Sequence, residues 1–487
     1  MVAPIPNTSF SFPNNGLGNV SPSPANVIAI VGPTSAGTAA TPRAIGGSPA
    51  NVVSGFGYGP AASLAAALIE GGGNVVLTKA THTAATPGSV TKTGAGTSTM
   101  TVTGSPFDRY DIVVTTTRSG TVGVDLTGAV TISLDGGRTT SKEISVPISG
   151  VVSTLATTTG LTFTFDDGTG TEELVAGTTY TLNVPAPTLS AANVVTALEA
   201  LKNSIESYSL IYVTGAFDAS DVATIAAEVA AIVAKKRFVR VIMESEDVSG
   251  ADTEAEWAAD LATDFVASSS DLVTVAAGYI GVRDPLTKAN LWRSVGWPAI
   301  IRAAQVAVHR DLAAVEDGPI AALAGGPALL GTPAPGKFVH DEDFNPLLNQ
   351  HRFLTIRSFP GLPGYYVTNP NVLSGPTSDY DLLQYGRIAD EAARLTNIYF
   401  TQKLSRDTFL DPTTGKILES EAKGWEQGND QALLPLITGK SVSALATSVD
   451  RTPTGRTVNV TVRFVPKFYP KEFAITIAFV TTLAATA

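Results

Sequence analysis

The chain contains no cysteine. Disulfide frameworks, thiolate nucleophiles and zinc–thiolate sites are therefore excluded, and the redox compartment stays open. Charge is scarce as well: 15% of the 487 residues are Asp, Glu, Lys or Arg, and the formal net charge is −11. Phosphate contacts need clustered Lys and Arg. The densest basic run, Lys235-Lys236-Arg237, ends a predicted helix, where cations suit the dipole, so no nucleic-acid partner is expected. No uninterrupted apolar stretch is long enough to cross a bilayer, and Met1–Pro6 has neither a basic n-region nor an apolar h-region. Neither a secretory signal nor direct membrane insertion is expected.

Catalytic motifs are missing too. None of the four histidines, His82, His309, His340 and His351, falls in a nucleophile–base pattern. There is no G-x-S-x-G elbow, no H-E-x-x-H helix and no dinucleotide fingerprint. Gly32 to Ala39 looks like a phosphate loop, but Thr38 stands where the phosphate-reaching Lys belongs and Ala39 where the magnesium ligand belongs. The tight group His340-Asp341-Glu342-Asp343 reads as an acidic solvated loop. No catalytic residue, no cofactor and no metal is assigned, and a non-enzyme is expected. Carboxylate pairs leave no local signature, so a hydrolase carrying a β-rich binding insert stays open as an alternative.

What is present is apolar pattern. Apolar residues make up 44% of a chain long enough for two to four domains. Residues 1–24, rich in Pro, Asn, Ser and Gly with Phe10 and Phe12 alternating, read as an extended arm. Val27–Val31 and Val75–Leu77 read as buried strands, with a helix near Ala61–Ile69 between them. From 81 to 187 the chain turns to Thr, Gly, Ser and Val. Short strands are predicted at Thr99–Thr103, Asp111–Thr117, Ala129–Leu134, Leu161–Phe165 and Tyr180–Val184, an inserted sandwich-like all-β domain.

Residues 188–350 revert to β/α alternation. Predicted helices are Ala191–Ile205, Asp218–Ala234 and one opened by the Thr253/Glu256 capping box. Strands Leu210–Val213, Phe238–Ile242 and Leu272–Ala276 alternate with them. Together with residues 25–80 they form a discontinuous α/β domain with a mainly parallel sheet. A helix starting at Pro298 follows.

Residues 351–469 read as an α+β domain. It holds two strands at Phe353–Ile356 and Tyr365–Val367, and a long helix Asp379–Phe400 capped by Ser378, with Asp390, Glu391 and Arg394 off its apolar stripe. A second helix is predicted near Asn429–Leu436. Two alternating strands close the chain. One is Thr457–Phe464, with Val458, Val460, Val462 and Phe464 in register; the other carries Phe473, Ile475, Ile477 and Phe479 within a terminal arm, residues 470–487. A terminal strand with a full apolar face completes its own sheet or adds to another chain's sheet.

The order of these pieces resembles the tail sheath proteins of contractile phages and related injection machines. At the N-terminal side the likeness is carried by Val27–Gly32, Gly37, Thr41-Pro42, Val52–Gly57, Ala66–Ile69, Gly71-Gly72 and Val75-Val76. At the C-terminal side it is carried by the strand pair at 353–367, the Ser378–Phe400 helix and the closing strands. Thr38-Ala39 departs from the Gly-Pro that many sheaths have after the turn.

The resemblance implies a structural subunit that polymerises with itself as stacked rings around a tail tube protein, with baseplate and tail terminator proteins at the ends, in a virion tail made in the host cytoplasm. It implies strand exchange through the arms. The subunit-interaction residues would be Phe10, Phe12, Val458, Val460, Val462, Phe464, Phe473, Ile475, Ile477 and Phe479. It implies an outward-facing β insert and contraction from a metastable lattice. Glu421–Gln431 and charged positions of the long helix are candidates for the tube face. Another self-assembling surface or capsid protein also fits the Thr/Val/Gly-rich β domain.

Overall fold

Val27–Gly32 (β1) is fully buried because it lies inside a sheet that carries helices on both faces. The computed structural model describes residues 26–166, 172–246, 253–320, 347–375 and 377–471. They fall into two compact units, residues 1–394 and 395–487, each described by itself.

In the first unit β1 leads to a short strand Arg43–Ile45 (β2), helices Pro49–Phe56 (α1) and Pro60–Glu70 (α2), and strand Asn74–Lys79 (β3). Both helices begin with Pro at N1, where a missing N–H costs nothing. The insert follows, with strands Thr91–Thr93 (β4), Met100–Gly104 (β5), Tyr110–Arg118 (β6), Gly120–Thr121 (β7), Ala129–Ser133 (β8), Ile144–Ser145 (β9) and Val151–Val152 (β10). A single helical turn, Ala156–Thr159 (α3), precedes Leu161–Phe165 (β11), Glu173–Leu174 (β12) and Thr179–Val184 (β13).

The α/β pattern resumes with Ala191–Asn203 (α4), Leu210–Phe217 (β14), Ala219–Ala234 (α5), Arg240–Ser245 (β15), Glu254–Asp264 (α6) and Val273–Ala276 (β16). A hairpin of Tyr279–Arg283 (β17) and Asn290–Ser294 (β18) leads into Gly296–Gln305 (α7). Leu347–Gln350 (α8), the hairpin Ile356–Phe359 (β19) and Leu362–Val367 (β20), and helix Leu383–Thr401 (α9) follow.

The main sheet has the order β16-β15-β14-β1-β3-β2. All its pairs are parallel except β2 with β3. The sheet is therefore mixed, with one short antiparallel edge. Alternation along β1 feeds two cores. Ile28 and Ile30 pack with Val52, Phe56, Leu64 and Trp297 on one face. Ala29 and Val31 pack with Leu198, Ile225, Val229, Trp257 and Leu261 on the other. The capping box at Thr253 and Glu256 forms as the spacing predicts. Ile205, expected on the α4 stripe, lies beyond the helix end at Asn203 and is 96% exposed.

The insert has a five-stranded sheet, β4-β13-β6-β8-β9, and a three-stranded one, β10-β11-β5, with a short β12-β7 pair. Both larger sheets contribute to one core, which includes Tyr110, Val114, Phe163, Phe165 and Tyr180. Leu291 of β18 joins that core, so a host hairpin is wedged into the insert.

Two buried polar links fix this wedge. Arg293 of β18 donates to both oxygens of Asp108 at 2.7 and 2.6 Å and to Asp284 at 2.9 Å. Burial works against the guanidinium charge, but the two carboxylates outweigh it and raise the Arg293 pKa above its ordinary value. Asp135, just after β8, accepts from Ser133, from the backbone and hydroxyl of Thr139, and from the backbone N–H of Asn290 in β18. Burial pushes the Asp135 pKa up, but these bonds prevail and hold it below the usual carboxylate value.

The long helix differs from its predicted form at both its start and its charged face. α9 begins at Leu383, and Ser378 is no cap for it: its hydroxyl donates to Asp271 at 2.8 Å. Asp390 is not a solvated residue but the partner of Arg240, which donates to it at 2.9 Å. The Arg240 guanidinium lies where a Cβ on Gly386 would sit, 2.6 Å from its Cζ, so the glycine lets α9 approach the start of β15.

The second unit contains Glu419–Ala432 (α10), Leu434–Thr438 (α11), Val442–Val449 (β21) and Val460–Pro466 (β22). The helix expected near Asn429–Leu436 starts ten residues earlier and breaks at Leu433. The last described strand starts at Val460 instead of Thr457, because Thr454 and Thr457 pair with each other across the preceding turn. Among the described residues no helix is long and apolar enough to cross a membrane.

Two outcomes test the wedge. Arg293→Ala leaves two buried carboxylates uncompensated and is expected to destabilise the first unit by about 3–5 kcal/mol, read as the first urea transition. Replacing Arg293, Asp108 and Asp284 together with Met and Leu is expected to recover most of that loss. Asp135 has a depressed folded-state pKa, so its contribution is complete above the unfolded value of about 4 and fades as pH falls through the folded one. Asp135→Asn is therefore expected to flatten the acid limb of the apparent melting temperature below about pH 4.

Candidate assembly interface

An α/β sheet binds ligands beyond the carboxyl ends of its strands, where the strand order reverses. Here the chain leaves β1 for β3 on one side and later returns to β14 on the other. The crevice at that point has a volume of about 220 Å³ and is lined by Pro33, Pro60, Pro187, Glu244 and Trp292 among others. That is below the ~300–1,000 Å³ of small-molecule pockets.

The Gly215 amide in its lining is taken. Glu244, at the end of β15, accepts from the Gly215 N–H at 2.8 Å and from the Tyr212 hydroxyl at 2.7 Å. In the loop after β1, the Ser35 N–H donates to the Tyr58 carbonyl at 2.7 Å and the Ala36 N–H to the Phe56 carbonyl at 2.9 Å. Two amides of this phosphate-loop-like stretch are thus bonded to the chain itself. Gly57 and Gly59 bring the second strand of that exchange in, with φ of 72° and 125°, which L side chains rarely adopt. Of the histidines, His82 has its pKa lowered by burial, and His340 lies outside the described residues. The group at 340–343 lies there as well. Among the described residues no three His, Asp or Glu side chains are grouped to hold a metal ion.

The second unit presents a different kind of surface. β21 and β22 form an antiparallel two-stranded sheet, with Val449 opposite Val460, Thr447 opposite Val462 and Leu445 opposite Phe464. A lone hairpin is marginal in water. This one is held by α10, whose Trp425 and Ala422 bury Val449 and Ile417, with Val458 and Val460 packed at the margin.

α10 also reaches the strand edge. The Thr447 N–H donates to Asp430 and the Val449 N–H to Glu426, both at 2.9 Å. Two residues of strand span about 6.6–6.8 Å and one helical turn of four residues about 6 Å, so the two repeats match. Asn429 adds a bond from its side-chain amide to the Thr447 hydroxyl at 2.8 Å. The Glu426 pKa is lowered, first by Lys423 and then by the Val449 N–H.

Since the amides of Thr447 and Val449 point at α10, the pairs they form with β22 are the non-hydrogen-bonded ones. The bond from Asp450 N–H to the Asn459 carbonyl fits that phase. The N–H groups of Val460, Val462 and Phe464 therefore point away from β21, toward an edge that carries no partner strand among the described residues. Val465 of β22 and Phe468 just after it are 57% and 85% exposed; Leu404 and Phe409 of the same unit are 73% and 69% exposed.

Val460, Val462 and Phe464 thus share one strand as their alternation predicts, each half-buried, while Val458 sits in the preceding turn. Phe10, Phe12, Phe473, Ile475, Ile477 and Phe479 lie outside the described residues. Glu426 and Asp430, assigned from sequence only to a stretch facing a tube, turn inward to β21. Their i, i+4 spacing on one helix face was the available signal.

No curated protein matches the sequence. Among solved structures, the fold is similar to the sheath tail protein of Desulfitobacterium hafniense at 12% identity and a TM-score of 0.47, covering 95% of this chain and 100% of that one. It is similar to the sheath tail protein of Listeria innocua at 12% identity and a TM-score of 0.47, covering 91% of this chain and 95% of that one. A contracted PVC sheath complex of an extracellular contractile injection system aligns at 13% identity and a TM-score of 0.38, over 63% of this chain and 77% of that one. The DUF2586, N-terminal domain, family matches residues 5–371, well over half the chain, and the protein belongs to that family.

Proposed function

We propose that this chain is a structural subunit of a contractile tail sheath. It polymerises with itself as stacked rings around a tail tube, with baseplate and terminator proteins at the ends, in a phage tail or phage-like injection machine. The observation that carries this reading is the apolar-flanked edge of β22, which has no partner strand among the described residues, in a small unit rich in exposed large apolar side chains. A hairpin of that kind is a template for β-augmentation. The order of sequence motifs along the chain supports the same reading.

In this reading the arms that carry Phe10 and Phe12 and Phe473 to Phe479 are the donated strands. Burying each large apolar side chain contributes roughly 1.5–3 kcal/mol before ordering costs. The work of contraction is stored in assembly. The Ser35 and Ala36 amides after β1 are bonded within the chain, and in this reading no nucleotide drives the change. The extended lattice is metastable and converts to a better-packed one while the exchanged strands act as tethers. A hydrolase reading is disfavoured because Glu244 occupies the Gly215 amide at the place where a ligand would bind.

Negative-stain electron microscopy of the concentrated pure chain tests the reading. Hollow helical tubes are expected. Deleting residues 1–20 or 470–487 is expected to abolish them while leaving the circular dichroism of the two folded units in place. Flat sheets, closed shells, or tubes that survive both deletions would overturn it.

A further inference from the structure

We propose that the second unit holds a binding site for a small hydroxylated monocarboxylate, of the sugar-acid type, between the end of α9 and the first turns of α10. The inference concerns this unit alone and does not depend on the assembly reading.

The site is a cavity of about 330 Å³, at the lower end of the ~300–1,000 Å³ of small-molecule pockets. Tyr399 and Trp425 give it aromatic surface. Lys403, Arg406, Ser420 and Glu421 bring polar groups to it. Lys403 and Arg406 come from the turn that follows α9, where the Lys403 N–H donates to the Phe400 carbonyl and the Arg406 N–H to that of Lys403. Ser420 and Glu421 lie one helical turn before Gly424 and Trp425, so α10 presents all four on one side.

Gly424 is the observation that points to a ligand. A glycine inside a helix lowers its stability, and α10 contains two. Gly428 has a packing reason, since a Cβ there would lie 2.1 Å from the Tyr399 hydroxyl oxygen. Gly424 has none of that kind. A Cβ there would meet nothing within 4 Å, and the residue lines the cavity. The missing side chain weakens the helix without serving an internal contact, and it keeps the cavity floor open to an incoming group.

Charge selects the class of ligand. Lys403 and Arg406 bring two positive charges to the cavity, and Glu421 brings one negative charge. Arg406 and Glu421 are 4.0 Å apart, beyond a hydrogen bond, and the Lys403 ammonium lies over the Tyr399 ring at 5.1 Å. Neither cationic side chain donates a hydrogen bond among the described residues. The single excess positive charge matches a monoanion, and a planar carboxylate suits the fork of Arg406. A dianion would be left facing the Glu421 carboxylate with too little charge opposite it. Glu421 and Ser420 accept from hydroxyls of the ligand, while its C–H surface rests on the aromatic side chains.

The test is saturation-transfer nuclear magnetic resonance on the full chain at low salt, with gluconate as the probe and glucose, acetate and sulfate as comparisons. Gluconate is expected to bind with a Kd on the order of 1 mM, and the other three more weakly. Lys403→Gln and Arg406→Gln together are expected to weaken gluconate about tenfold or more. Gly424→Leu fills the open space and is expected to abolish binding. Because it removes a glycine from a helix interior, the melting temperature of the variant is expected to hold or rise, which separates a blocked site from a misfolded one. Glu421→Gln is expected to raise sulfate binding and to narrow the advantage of gluconate over acetate.

Gluconate binding that survives Gly424→Leu or the paired glutamine substitutions overturns the site. Glucose or acetate binding as well as gluconate, or sulfate binding better in the parent chain, overturns the class of ligand. No transfer from any of the four probes overturns the proposal as a whole.

Discussion

Each backbone N–H that is buried or set at a working edge must have an acceptor, and this chain repeatedly supplies a carboxylate. Asp135 takes the amides of Thr139 and Asn290, Glu244 that of Gly215, and Glu426 and Asp430 those of Val449 and Thr447. With charge so scarce, an acid that binds backbone is not available to the solvated surface. The result is a set of places where the chain could have bound something else and instead binds itself. The crevice at the strand ends is one, and the outer edge of β21 is another. Beside these, the outer edge of β22 carries no partner strand among the described residues.

The same constraint joins the insert to its host. β18 leaves the α/β unit, places Leu291 in the core of the insert, and anchors there through Arg293 and Asn290. A buried ion pair of this kind adds little net stability against an apolar substitute. It does impose a geometry, because a guanidinium held by two carboxylates tolerates little sliding. An insert fixed in this manner is held to move with its host as one piece.

Much of the first unit was legible because its signals are local. The buried run of β1, the capping box at Thr253 and the stripes of α4 and α5 each depend on residues within a few positions. What escaped depends on partners far along the chain. α10 was read only from near Asn429; in the part that was missed, a Cβ on Gly428 would lie 2.1 Å from the Tyr399 hydroxyl oxygen, so the glycine is there for the neighbouring ring. Asp390 was read as lying off the apolar stripe of the long helix, and nothing near it in sequence points to Arg240, 150 residues earlier. The β17–β18 hairpin went unread because its strands serve a core made elsewhere. At the interface the alternating residues of β22 were readable, but which edge is closed was not, since that requires the helix, its phase and the hydrogen-bond phase of the hairpin together.

That asymmetry has a consequence for the shape of any polymer. If both edges of the hairpin were equally open, two copies could pair edge to edge about a two-fold axis and stop as a dimer. Closing β21 removes half of those pairings, and Pro466 weakens the far end of β22 as a donor to an identical strand. In the proposed assembly, the contact is that of an arm on one copy with an edge on the next. Such a contact is heterologous: the surface that gives differs from the surface that receives. Repeated contacts of that type close into rings when the rotation permits and otherwise continue as helices.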